Sequence, residues 1–368
     1  MKRQKPTLKE ILSSAVFIII AGVLFVLNIV VPAPAVLLSE RRVPAKFPEL
    51  TVSSVSSGNF MNKFDNYAAD NFVFRDTFRR IQSSIVLDVL MLSDKSGLYR
   101  SGNVGEGEFK RLNAVSFRQT AERIKKAADS LADEGVNVYY SVVPDKSVFA
   151  EDYMPGFDIG DAEEILSSIL GDYEYIRLID DLGAESFYKT DLHWDQPKIT
   201  GAADHLLAAM GAGPVPGGYP VVEAGDFRGV YAGQLALPVD ADIMAYVDIP
   251  GLTVSYLNEK TLEFDSGPVY DTERFSGADP YDLFMRGPQP LIVLENKAAP
   301  DRELFLFRDS FGSSLAPLLA GAYSRITIID LRYIHFMMLD RFVEFHPGAD
   351  ALFIYSSQIL NNPSVLQA

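Results

Sequence analysis

The chain has 368 residues, 48% of them hydrophobic and 22% charged, a balance that suits a folded protein and excludes an intrinsically disordered one. It has no cysteine, which removes disulfides, zinc–thiolate sites, iron–sulfur clusters and thiol nucleophiles from consideration. Its formal net charge of −16 repels polyanions and argues against nucleic acid as a partner.

Among the first ten residues Lys2, Arg3, Lys5 and Lys9 face only Glu10, so basic charge gathers at one end and the remainder is still more acidic. Residues 11–31 are apolar, broken only by Ser13, Ser14, Gly22 and Asn28. As a helix this run spans roughly 30 Å, about the thickness of a bilayer's hydrocarbon core. The basic flank reads residues 1–10 as a cytoplasmic tail, 11–31 as a single-pass anchor in the cytoplasmic membrane, and the rest as lying outside it. A cleaved signal peptide is the rival, with Ala33-Pro34-Ala35 as a small-residue site, although the run exceeds the roughly 7–15 residues of a signal h-region. A buried core helix is the bland alternative.

Residues 32–58, rich in Pro and Ser, read as a linker, and 59–368 as one α/β domain. Apolar residues at helical spacing (Phe64, Tyr67, then Phe78, Ile81, Ile85, Val89, Leu92) predict two helices within 60–92, broken near Asn71-Phe72-Val73-Phe74. An amphipathic helix is expected over 115–133, ending near Gly135. Strands are then predicted at 136–143, 175–179, 304–307, 326–329 and 351–355, with helices at 162–170, 200–210, 313–319 and 334–344. This alternation implies a central parallel sheet covered on both faces. Residues 215–300, rich in Gly and Pro with β-like runs at 243–247, 252–256 and 291–294, are expected to form a β-rich insertion.

Ligands of open parallel sheets bind beyond the carboxyl ends of the strands. Those ends lead into Pro144-Asp145-Lys146, Arg308-Asp309-Ser310-Phe311-Gly312, Asp330-Leu331-Arg332-Tyr333 and Ser356-Ser357-Gln358. Ser310, between a strand and a helix, is placed as a nucleophile, with helix N–H groups and its own N–H available to an oxyanion. Gly312 allows close backbone approach. The competing reading makes Ser310 an N-cap.

A serine nucleophile needs a base. Of the four histidines, His205 and His335 fall in predicted helices and His346 at a helix end. His193 follows Asp191 by two residues, a spacing that puts both side chains on one face of an extended segment. The carboxylate can then hold one ring nitrogen while the other takes the serine proton. A casual surface contact, or a metal held by Asp191, His193 and Asp195, are the alternatives. Trp194, the only tryptophan, is either core or a sugar-stacking platform.

Phe187-Tyr188-Lys189-Thr190-Asp191-Leu192-His193-Trp194, followed by Gly201-Ala202-Ala203, resembles the signature of the DHHW family. It is similar also to alginate O-acetyltransferase proteins of the SGNH-hydrolase-like class. Leu306-Phe307-Arg308-Asp309-Ser310-Phe311-Gly312 resembles the serine motif of that class, and residues 42–50, 64–76 and 227–234 resemble other parts of it. The resemblance implies an SGNH-hydrolase-like three-layer sandwich with Asp191 as orienting acid, His193 as base and Ser310 as nucleophile. Two positions depart from the pattern: Leu192 stands for the first of two histidines, and Arg308 for the usual Gly or Lys. Gly287 and Asn296 are candidates for the oxyanion-hole Gly and Asn, and Arg308, Arg332, Tyr333 and Lys146 for substrate or oxyanion contact.

The implied activity is O-acetylation of an extracellular polysaccharide or other glycan, beside a membrane-bound O-acyltransferase partner and with no cofactor or metal. An esterase or deacetylase would use the same triad with water as acceptor. A glycan-binding assembly protein without catalysis is the third reading.

Overall fold

The computed structural model describes residues 7–37, 39–108, 110–151 and 159–367. Lys2, Arg3 and Lys5 of the basic flank lie outside the described residues. The chain forms two compact units, Met1–Leu90 with Gly233–Pro238, and Met91–Ala232 with Val239–Ala368.

The first unit holds α1 (Leu8–Val30), α2 (Val52–Ser56), α3 (Asn59–Asn71) and α4 (Arg75–Ser84), followed by a π-helical turn over Ile85–Val89. Thr7 and Glu10 form a capping box that starts α1. This helix is long and apolar enough to cross a membrane, and none of its side chains is buried. The two helices expected within 60–92 are α3 and α4, with the break at Phe72–Phe74 where the sequence placed it. The stretches 42–50 and 64–76 prove to be each other's partners. Arg42 grips the carboxylate of Asp70 with both Nη atoms at 2.6 Å, while Asp70 also accepts the Ala45 N–H and Asn71 donates to the Ala45 carbonyl.

The second unit opens with a small antiparallel sheet of β1 (Asp94–Lys95), β2 (Leu98–Ser101) and β3 (Gly105–Glu108), which the sequence reading did not anticipate. Then come α5 (Ala114–Asp133), β4 (Asn137–Val143), α6 (Ile159–Leu170), β5 (Glu174–Ile176), α7 (Thr200–Ala209), β6 (Val221–Phe227) and α8 (Val230–Leu235), whose residues from Gly233 on belong to the first unit. The chain continues through β7 (Asp242–Val247), β8 (Leu252–Leu257), β9 (Phe264–Gly267), α9 (Thr272–Phe275), β10 (Leu291–Asn296), β11 (Glu303–Arg308) and α10 (Phe311–Leu319). It closes with β12 (Arg325–Ile329), β13 (Asp350–Ser356) and α11 (Ser357–Leu360).

The main sheet has the order β5-β4-β13-β11-β12-β10-β8-β9. Its first five strands are parallel, as the alternating pattern predicts, and the last three pairings are antiparallel. Residues 215–300 therefore divide. β6 and β7 make a separate two-stranded sheet, whereas β8, β9 and β10 extend the main one. Side chains alternate along β11: Leu304 and Leu306 join a core packed with α7 and α10, while Phe305 and Phe307 join a second core packed with α5 and α6. Helices thus cover both faces. The helix expected at 334–344 is only a 3-10 turn, Phe336–Arg341. His335 caps it by accepting the Met337 N–H, and Phe336, Phe342 and Phe345 pack against the second core.

Candidate active site

Parallel strands β4, β13, β11 and β12 end on one edge of the sheet, and the loop after β11 carries Ser310. Ser310 has helical backbone angles at the N-cap of α10, yet its side chain makes no cap hydrogen bond. Asp309 does that work, accepting the Phe311 N–H at 3.0 Å and the Ser356 N–H at 2.7 Å. The Ser310 hydroxyl lies instead 2.7 Å from Nε2 of His193.

Nδ1 of His193 lies 2.6 Å from Oδ1 of Asp191. That oxygen also accepts the His193 N–H at 3.1 Å, while Oδ2 accepts the Val230 N–H at 2.9 Å. The pair does not sit on an extended segment, as the spacing suggested. A Tyr188 N–H to His193 carbonyl bond of 3.0 Å closes a tight turn, and the Asp191 carboxylate on the His193 N–H makes an Asx-type turn inside it. The intervening Leu192 packs against the main core, so an aliphatic residue suits the place where the DHHW pattern has a histidine. Asp191 is fully buried and His193 nearly so.

The turn is held from several sides. Asp242 accepts the N–H groups of Lys189 and Thr190 at 2.9 and 2.8 Å and the Thr190 hydroxyl at 2.6 Å. Lys146 is buried and donates to the carbonyls of Tyr188 and Lys189, both at 2.9 Å, so it braces the turn from behind. Burial pushes its ammonium down to about 8, partly offset by Asp191, Glu106, Asp145 and Asp242. The Tyr281 ring stacks on the imidazole with centroids 3.8 Å apart and planes 11° from parallel. A Cβ on Gly229 would lie 2.3 Å from both the Asp191 Cβ and the Thr190 carbonyl oxygen, so only glycine fits there. Tyr281, Gly229 and Asp242 escaped the sequence reading as site residues. Only Gly229 carried a signal, because it lies within the 227–234 stretch.

Other candidates take different places. Trp194 is core: it is fully buried and donates to Ser314 Oγ at 2.7 Å and the Phe311 carbonyl at 3.1 Å, leaving no face for a sugar. Asp195 pairs with Lys198 at 3.1 Å and Asp191 holds His193, so these carboxylates have duties other than shared metal ligation. The N–H of Gly312 is donated to the Asp309 carbonyl at 3.1 Å, and its missing Cβ makes room for the Arg308 stem. Arg308 is buried against Asp330 at 3.1 Å, and burial lowers its pKa. Arg332 forks onto the same carboxylate at 2.8 and 2.6 Å, and Tyr333 is half exposed beside it. Gly287 sits in a turn where a Cβ would strike Asp282. Asn296 ends β10 at the opposite edge of the sheet from Ser310 and donates to the Ala320 carbonyl, which removes it from any oxyanion role.

No protein-family model matches the sequence, and no curated protein matches it. Solved structures do match. A DHHW family protein from Eubacterium siraeum overlays with a TM-score of 0.58 at 18% identity, over 73% of this chain and 93% of that one. The chain has the fold of a DHHW family protein. Bacillus cereus PatB1 overlays with a TM-score of 0.57 at 16% identity, over 72% of this chain and 96% of that one, and a second PatB1 structure, which carries a sulfonyl adduct, at 0.55. The O-acetyltransferase domain of Pseudomonas putida AlgJ is a looser neighbour, with a TM-score of 0.45 at 12% identity.

Proposed function

We propose that the chain is a membrane-anchored, serine-dependent O-acyltransferase acting outside the cytoplasmic membrane on a polysaccharide or other glycan. The observation that carries this reading is the unbroken chain Ser310 Oγ–His193 Nε2, His193 Nδ1–Asp191 Oδ1, at 2.7 and 2.6 Å. Asp191 fixes the tautomer with its proton on Nδ1, so Nε2 presents a lone pair to the serine hydroxyl. Ser310 Oγ attacks the acyl carbonyl carbon while its proton passes to Nε2. The donor's leaving group then departs with that proton, leaving an ester on Ser310. A sugar hydroxyl attacks this ester, gives its proton to His193, and serine is restored.

The N–H groups of Phe311, Gly312 and Ser313 are already donated to Asp309 and Ser310 oxygens. We therefore assign oxyanion stabilisation to the Ser310 N–H together with groups outside the first turn of α10. Ser310 is only partly buried, so donor and acceptor can reach it. The sheet with helices on both faces fits an SGNH-hydrolase-like sandwich in permuted order, and the sulfonyl adduct on PatB1 is the kind of species that an activated nucleophile forms. With α1 as anchor, the tail inside and the second unit outside, a membrane-bound O-acyltransferase could supply acyl groups at the same surface.

The test is release of nitrophenol from p-nitrophenyl acetate by the full chain in detergent, with and without short oligosaccharides, beside Ser310→Ala and His193→Ala. Turnover lost in both variants together with acetylated oligosaccharide supports the transferase. Turnover without acetylated sugar makes the protein an esterase. Equal inertness of all three folded proteins would leave a glycan-binding role.

A further inference from the structure

Helix α4 is built inside out. Phe74 at its N-cap, then Phe78, Ile81 and Ile85, recur at a spacing that aligns them on one stripe. They are 56%, 45%, 50% and 46% exposed. The face that is covered is the polar one. Arg75 and Arg79 both reach Glu40, at 2.6 and 2.9 Å, and Arg79 and Ser83 donate to the Gln234 and Leu235 carbonyls, each at 2.5 Å. A helix standing in water turns its apolar stripe to the core and its charges to solvent. In α4 the apolar stripe faces out while Arg75 and Arg79 are covered, although Asp76 and Arg80 remain exposed.

The exposed apolar surface continues onto α1. The side-chain oxygen of Asn28, near the end of α1, accepts the Val73 N–H at 3.0 Å and so fixes the α3–α4 turn beside that end of the helix. An open groove of about 720 Å³ lies between α1 and α3, lined by Leu24, Phe25, Ile29, Phe64 and Tyr67 among others. Such a groove flanking a membrane span has the shape and chemistry of an acyl-chain seat, because lipid tails are the apolar medium already in contact with α1.

We infer that the α4 stripe and this groove are a lipid-binding surface: acyl chains fill the groove, and α4 lies in the bilayer interface with Phe78, Ile81 and Ile85 pointing into it. The occupant is bilayer lipid, chosen over a protein because the apolar surface is continuous with that of α1. This inference rests on α1 crossing the membrane, as the proposed function has it.

The test uses the full chain reconstituted in phosphatidylcholine vesicles with tryptophan introduced as Phe17→Trp in mid-α1, Phe78→Trp or Ile85→Trp. Native Trp194, fully buried in the second unit, supplies the background. Lipids brominated at defined depths act as quenchers. Phe17→Trp should be quenched most by bromines deep in the chains, and Phe78→Trp and Ile85→Trp at least twofold more than wild type by bromines near the head groups. Two reporters on α4 guard against one of them misfolding, which circular dichroism would reveal. If Phe17→Trp is quenched and neither α4 reporter exceeds wild type, the inference is overturned while the anchor stands, and a protein partner becomes the occupant. If Phe17→Trp also escapes quenching, the anchor reading fails and the inference falls with it.

Discussion

Helices α4 and α10 have ten and nine residues, and they obey opposite rules. Every residue of α10 is buried, and the hydroxyl of Ser314 is absorbed by Trp194 and Tyr281. In α4 only Ser83 is buried, Arg75 and Arg79 face inward while Asp76 and Arg80 stay exposed, and the large apolar side chains face out. The second unit buries its apolar residues in two cores, and several of its buried polar groups, Lys146 and Thr190 among them, hold the Asp191–His193 turn. The first unit leaves a large apolar surface uncovered on α1 and α4, which the proposed lipid contact would account for.

The largest effect should come from the hydrogen-bonded Ser310–His193–Asp191 chain of the second unit. Ser310→Ala and His193→Ala should each lower turnover of an acetyl ester by on the order of 10³-fold or more, and Asp191→Asn should do so by loss of the correct tautomer. None of the three changes should alter quenching of the α4 reporters in vesicles. Gly229→Ala comes next: the new Cβ forces the backbone of Thr190 and Asp191 aside, so turnover should fall by about 10²-fold with little change in helix content.

A pH experiment sharpens the comparison further. Because burial holds Lys146 down to about 8, the folded chain releases this proton before the unfolded chain does. Over about pH 8 to 10 the unfolded state binds more protons, so Lys146 makes stability rise with pH across that window. Denaturant midpoints should therefore show wild type gaining about 2 kcal/mol relative to Lys146→Met between about pH 7.5 and 9.5.

The smallest effect belongs to the first unit. Asp70→Ala strips Arg42 of its two-pronged partner and the Ala45 N–H of its acceptor, at a cost of about 1–2 kcal/mol because Arg42 is part exposed. Limited proteolysis should then cut within residues 40–80 while turnover at Ser310 is unchanged. A matching fall in turnover would show that the two units are energetically one.

The parts of the fold that could be read were those with strong local period: the strands of the parallel sheet, α5, α7, and the break between α3 and α4. β1 to β3 were not, because Gly97, Gly102, Gly105 and Gly107 dilute any β signal. Nor could a run of strands between 242 and 296 reveal that three of them join the main sheet, since pairing is set by distant partners. The Ser310–His193–Asp191 contacts could be anticipated because each half is local, an Asp-x-His turn and a serine after a strand. Its supports were not. Tyr281 acts on the turn from 88 residues beyond His193 and Asp242 from 52 beyond Thr190, and nothing near them in sequence marks a tyrosine as an imidazole's stacking partner. Arg308 looked available for ligands, and Trp194 stayed open between core and sugar platform, because burial cannot be read from residue type alone.

The central claim is that Ser310 becomes acylated with His193 as its base. The most direct measurement is to mix the full chain with p-nitrophenyl acetate, quench in acid within the first turnover, and map the acetyl group by peptide mass. The account predicts one acetyl group on the peptide holding Ser310, absent from Ser310→Ala and strongly reduced in His193→Ala. Acetyl on another residue, or equal labelling in His193→Ala, would contradict it.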